Sequence, residues 1–214
     1  VPTGAPTAIP GARITFAPGA TQAFANGSLA AEQTQDYLIQ INGGQTMILT
    51  LSSPVTGAAK VSVLGTTGPN PNVINANPDG WYWLGTLPVT QDYMIRVRAG
   101  AAPTTFSLNV VVPQRISFAP GTISASTPGT TSARRTVSYL LKANMHQMMT
   151  VTLLAPPGTA AITVYGLIDG TPLVRYVSGA MTWTGQLPAT QDYVIEVVPA
   201  IDGTVNYTLN TFVQ

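Results

Sequence analysis

Leu87-Pro-Val-Thr-Gln-Asp-Tyr-Met-Ile-Arg-Val97 recurs as Leu187-Pro-Ala-Thr-Gln-Asp-Tyr-Val-Ile-Glu-Val197, a duplication that commits the chain to two similar units. Each copy opens on Leu-Pro, which ends the preceding element, because proline has no backbone N–H and holds the residue before it extended. The Asp of Thr-Gln-Asp can hydrogen-bond nearby backbone and so favours a turn. Tyr93, Ile95 and Val97 then alternate with Met94, Arg96 and Arg98, and Tyr193, Ile195 and Val197 with Val194, Glu196 and Val198. Period two means strand. Arg96 in one copy and Glu196 in the other assign that face to solvent, since a charge reverses sign cheaply in water and not in a core.

The duplication runs further than this motif. Arg13-Ile-Thr-Phe-Ala-Pro-Gly19 matches Arg115-Ile-Ser-Phe-Ala-Pro-Gly121, an offset of 115 − 13 = 102. Tyr37-Leu-Ile-Gln-Ile41 matches Tyr139-Leu-Leu-Lys-Ala143, each followed by a turn, Asn42-Gly-Gly44 or Asn144-Met-His146, and a second strand with Met47, Leu49 and Leu51 or Met149, Val151 and Leu153 facing inward. Lys60–Leu64 matches Ala161–Tyr165, Trp83-Leu-Gly-Thr-Leu-Pro88 matches Trp183-Thr-Gly-Gln-Leu-Pro188, and Phe106–Val110 matches Tyr207–Thr211. Gly68-Pro-Asn-Pro-Asn72 against Ile168-Asp-Gly-Thr-Pro172 marks a variable loop. Every strong segment is a short strand between Gly, Pro and Asn turns. The fold class expected is all-β: two tandem antiparallel β-sandwich, jelly-roll-like domains, residues 13–113 and 114–214, behind an extended arm, residues 1–12.

Three prolines in the twelve residues of that arm exclude helix. Extended, it reaches on the order of 40 Å at about 3.3 Å per residue. Two readings stand: a disordered mature terminus, or an assembly arm in which Val1, Pro2, Ile9 and Pro10 set the register of a strand donated to another subunit.

Charged residues make up 8% of the chain, against roughly 25% in ordinary soluble domains. Thr, Ser, Asn, Gln and Gly/Pro loops must therefore wet the surface, a composition of secreted proteins and of subunits covered by neighbours or sugar. A net charge of +1, with basic residues scattered apart from Arg134-Arg135, argues against nucleic acid. No apolar run approaches the roughly 20 residues of a membrane span. Without cysteine there are no disulfides and no thiolate metal sites. The start at Val1, with neither Met nor an apolar signal segment, is read as either processed or trimmed, with removal of a signal peptide favoured, and the chain is expected to be secreted, extracellular or at the cell surface.

The two hairpin segments together with Trp-x-Gly-x-Leu-Pro-x-Thr-Gln-Asp-Tyr-x-Ile-x-Val resemble secreted bacterial β-sandwich modules: the pre-peptidase C-terminal domain and the related fold of periplasmic inhibitors of g-type lysozyme. The likeness covers Arg13 to Gln214, with Gln91 and Gln191 standing where many members carry Gly. The resemblance implies an accessory, noncatalytic module with roles that include matrix or carbohydrate contact, adhesion and enzyme inhibition, and the fold by itself chooses none of these.

No chemistry-bearing constellation emerges. Glu32, Asp36, Asp79, Asp92, Asp169, Asp192, Glu196 and Asp202 show neither acid/base pairing nor calcium-loop spacing. His146 is the only histidine and is expected as a solvated turn residue. There is no nucleophile elbow. No enzyme, cofactor or metal is therefore expected, and Trp83, Asp92, Tyr93, Trp183, Asp192 and Tyr193 are read as structural motif residues. Asn26-Gly-Ser28 and Asn206-Tyr-Thr208 are glycosylation sequons. The leading functional expectation is a self-assembling fibre, sheath or adhesive surface-layer subunit whose partner is a second copy, joined head to tail through the arm. The alternative is a secreted binding module, either a lysozyme-type inhibitor or a binder of cell-surface glycan through Trp81, Tyr82 and Tyr176.

Overall fold

The structure is a computed structural model and describes residues 8–66, 80–132 and 135–214. It divides into two compact units, one built from the described residues up to Phe16 with Ala23–Val112, the other from Ala17–Gln22 with Pro113–Gln214. Val1, Pro2, Asp79, Arg134 and the loop 68–72 lie outside the described residues, as do the side chains of Ile9 and Pro10.

The first unit contains β1 (Ala8–Arg13), β2 (Gln22–Leu29), β3 (Thr34–Ile41), β4 (Thr46–Ser52), β5 (Ala59–Gly65), β6 (Tyr82–Thr86), β7 (Gln91–Ala99) and β8 (Thr104–Val111). They form a sheet in the order β1-β3-β7-β5 and another in the order β2-β8-β4-β6. Between the two, Tyr37, Ile39, Met47, Leu49, Trp83, Tyr93, Ile95 and Leu108 make a buried core, so the faces that alternation assigns inward are inward. The second unit repeats the plan with β9 (Gln114–Arg115), β10 (Ser124–Thr131), β11 (Val137–Ala143), β12 (Met148–Leu154), β13 (Ala160–Gly166), β14 (Pro172–Val174), β15 (Thr182–Gln186), β16 (Gln191–Pro199) and β17 (Val205–Val213). Its sheets run β14-β13-β16-β11-β9 and β10-β17-β12-β15. Each unit is a β-sandwich.

The arm does not end where the sequence suggests. Its second half is β1, paired parallel to β3 with Ala8 opposite Thr34 and Arg13 opposite Leu38. The register breaks between Ile9 and Ala12, around Pro10, which has no N–H to give a ladder. Residues 8–13 are thus an edge strand of their own unit, and β9 takes the same parallel position beside β11. Ahead of the first residue of the short β9, Thr21 Oγ1 accepts the Ser138 N–H at 2.8 Å and satisfies the next donor along that edge.

The Trp-x-Gly step of the motif is steric. A Cβ added at Gly85 would lie 2.7 Å from the Trp83 ring, and one at Gly185 would lie 2.5 Å from the Trp183 ring. The indole folds back over the residue two positions on, on the same face of the strand, and only glycine leaves it room. Trp83 is buried and Trp183 is half-buried.

Candidate functional site

The duplicated motif builds a clamp at one end of each sandwich. In the first unit Tyr93 Oη donates to the Val89 carbonyl at 2.8 Å, so the ring fixes the turn that precedes its own strand. Thr90 Oγ1 accepts the Gly43 N–H at 2.8 Å, and the Gly44 N–H donates to the Leu87 carbonyl at 2.7 Å, tying the β3–β4 hairpin tip to that turn. Gln45 Oε1 accepts the Asn42 N–H at 2.9 Å and closes the tip on itself. The second unit repeats every bond: Tyr193 to Ala189 at 2.6 Å, Met145 N–H to Thr190 at 2.9 Å, His146 N–H to Leu187 at 2.9 Å, and Asn144 N–H to Gln147 at 2.7 Å.

The clamps are alike and what they present differs. The first unit shows Gly43, Gly44 and an exposed Val89; the second shows Met145, 48% exposed, and His146. His146 holds a φ of 72°, in the left-handed region where the first repeat has Gly44 at 85°. In the second unit the β13–β14 turn is tied to Gln191. Gln191 Oε1 accepts the Ile168 N–H at 3.0 Å while Gln191 Nε2 donates to Asp169 Oδ2 at 2.8 Å. The Thr171 N–H, 2.8 Å from Asp169 Oδ1, is the main cause holding the Asp169 carboxyl below its ordinary range. Ile168 itself is 77% exposed. Met145 and Ile168 are thus anchored by their backbones to the consecutive residues Thr190 and Gln191, and both side chains face solvent.

Asp92 and Asp192 belong to ion pairs. Arg13 donates to both Asp92 oxygens at 2.9 and 2.6 Å, and Arg115 grips both oxygens of Asp192. The Arg13 hydrogen bond holds the Asp92 carboxyl below its ordinary range. In each unit the pair straps the parallel edge strand, β1 or β9, across the middle strand to β7 or β16. Sequence reasoning missed the partners, although the signal was present: both Arg and both Asp recur in the duplication.

The face carrying Arg96 and Glu196 is not simply solvated. Arg96 makes a two-pronged pair with Asp36, 2.7 and 2.8 Å, which raises the guanidinium pKa. The second repeat has Ser138 in place of Asp36, and Glu196 instead accepts from Tyr165 Oη at 3.2 Å. Burial raises the Glu196 pKa.

Trp81 is 43% exposed and Tyr82 half-buried, with ring centroids 5.7 Å apart. Tyr176 is exposed in the second unit, in a one-turn 3-10 helix, Tyr176–Ser178. Asn26 and Asn206 are exposed strand residues, and Thr130 Oγ1 donates to Asn206 Oδ1 at 2.9 Å. No cluster of His, Asp or Glu of metal-binding size occurs among the described residues. Nor is any helix among them long and apolar enough to cross a membrane.

Neither a family model nor a curated protein matches the sequence. Among solved structures, the chain is similar to the Aeromonas hydrophila periplasmic inhibitor of g-type lysozyme, at 26% identity and a TM-score of 0.42, over 47% of this chain and 94% of that one. It is also similar to the Salmonella Typhimurium inhibitor, at 17% identity and TM-score 0.38, over 48% and 96% of the two chains. An archaeal virus turret protein with a triple jelly roll aligns over 88% of this chain and 58% of its own at 11% identity and TM-score 0.30.

Proposed function

We propose that the chain is a noncatalytic secreted or periplasmic module that binds a protein partner through the clamped loop end of its second unit. The observation that carries this reading is a fixed hydrogen-bonded clamp bearing different residues in the two repeats. A scaffold kept constant while its loop tips change is how β-sandwiches acquire binding surfaces. Met145 and Ile168 supply two exposed apolar anchors on a backbone already ordered, so little freedom remains to be lost on binding. Asp169, held ionised by its own turn, offers a polar contact beside them.

An arm-exchange polymer has less support, because the backbone of residues 8–13 is already paired within its own unit. The first partner to test is a g-type lysozyme, the target named for the similar inhibitors. The full chain is expected to inhibit it, and Met145→Glu and Ile168→Glu are each expected to weaken inhibition by about tenfold or more. Inhibition by wild type that both variants retain in full would remove the loop end from the contact. Absence of inhibition by the wild type would remove this enzyme as the partner.

A further inference from the structure

Charge is segregated between the sheets of each unit. Arg13, Asp36, Lys60, Asp92, Arg96 and Arg98 lie on β1, β3, β5 and β7, and Arg115, Lys142, Asp192 and Glu196 lie on β9, β11 and β16. The strands of the two opposite sheets, β2-β8-β4-β6 and β10-β17-β12-β15, contain no Asp, Glu, Lys, Arg or His. On the outer face of the second of these, two rows cross four strands in register. One is Thr182, Thr152, Asn210 and Ser126; the next is Thr184, Thr150, Phe212 and Ser124. Seven of these eight side chains are hydroxyls or amides, and all are exposed or half-buried. Neighbouring positions repeat at about 4.8 Å across strands and about 6.8 Å along them. Over the middle of the grid lies a hollow of about 300 Å³, lined by Ser124, Ser126, Thr150, Thr152, Asn210 and Phe212.

We propose that this face binds a neutral polysaccharide, with one pyranose ring seated on Phe212 and its neighbours along the hydroxyl rows. Three features select that occupant. Thr, Ser and Asn side chains each donate and accept, as sugar hydroxyls do, so pairing needs no fixed polarity. The grid has no ion to neutralise an acidic chain and none to be stripped of water by a neutral one. Phe212 gives the C–H face of a sugar an aromatic surface inside an otherwise hydroxylated hollow. The first unit does not duplicate it: the row corresponding to Thr184, Thr150 and Phe212 is Leu84, Ile48 and Val111. The face differs from the loop end in its residues, so the two readings fail separately.

The test applies the full chain to immobilised neutral hexasaccharides of glucose, mannose and N-acetylglucosamine, beside hyaluronan and heparin, at low and high salt. At least one neutral hexasaccharide should be retained equally at both salts, because screening acts only on charges, and the two acidic polymers should not be retained. Phe212→Ala and Ser126→Lys should each weaken retention by about tenfold, while Met145→Glu leaves it unchanged. Ser126 lies on an exposed edge position, so its variant keeps the test open if Phe212→Ala fails to fold. No neutral hexasaccharide above background, or retention unaffected by either face variant, would overturn the proposal. So would a concentration-dependent dimer that Ser126→Lys abolishes, which would assign the face to a second copy of the chain.

Discussion

A hydrogen-bonded pair of buried hydroxyls distinguishes the second core from the first. Tyr139 Oη and Tyr207 Oη share a hydrogen bond at 2.7 Å, and their pKa values are raised chiefly by burial. The corresponding pair in the first unit is Tyr37 and Phe106, edge to face at 6.4 Å. Removing one partner orphans the other, so Tyr139→Phe should lose about 1–3 kcal/mol of unfolding free energy, and Tyr139→Phe with Tyr207→Phe together should lose less than the sum of the two single changes. Urea denaturation of the four proteins in that cycle measures the coupling, and strict additivity would contradict it. Thr211 Oγ1, in contrast, is buried with no hydrogen-bond partner. Val110 occupies the matching position in the first unit, also fully buried. Thr211→Val exchanges an unsatisfied hydroxyl for a methyl of the same shape and should stabilise by about 1 kcal/mol, read as a higher urea midpoint at unchanged m-value.

At the scale of the element, the parallel edge strand depends on its strap. Leu38 accepts the Ile14 N–H at 2.8 Å just beyond β1, and Arg13 reaches from the end of that strand to Asp92. Both partners of the strap are partly exposed, so salt screens it. Arg13→Ala should speed amide exchange at Ile14 relative to wild type at low salt, with the difference narrowing in 1 M salt. The Asp92 pKa is lowered in the fold, so the strap is present above the ordinary aspartate range and is lost as pH falls through the depressed value. Exchange that is indifferent to the substitution would show that backbone pairing alone holds β1. The strands themselves were legible because Tyr93, Ile95 and Val97 alternate cleanly and Pro, Gly and Asn punctuate them. β1 was not legible: Ala8-Ile-Pro-Gly-Ala-Arg13 has no apolar alternation and contains a proline, and a parallel edge strand is specified by its neighbour rather than by its own pattern. The clamp was half legible. Its Tyr, Thr and Gln recur visibly, but which backbone groups they reach depends on a hairpin tip some 45 residues away in sequence.

Across the whole molecule, few carboxylates make an unusual acid response. Ordinary acid unfolding comes from many paired carboxylates that must be protonated. Here the sequence has eight acidic residues, and the resolved shifts oppose one another. Asp92 and Asp169 are lowered, so each contributes stability above its ordinary range that disappears as pH falls through its depressed pKa. Glu196 is raised by burial, so the folded state carries a penalty at neutral pH. That penalty is absent below the ordinary glutamate pKa and grows as pH rises through the folded value. Lowering pH therefore relieves one group while it unties the other two. Glu196→Gln removes only the penalty: its amide oxygen can still accept from Tyr165, and it has the shape of the protonated acid. The variant should melt higher than wild type at pH 7, match it at pH 3, and so fall more steeply between the two. Calorimetry at both pH values decides the matter. A variant no more stable than wild type at pH 7 would mean that Glu196 is solvated in the folded protein, as its place on an outward strand face first implied.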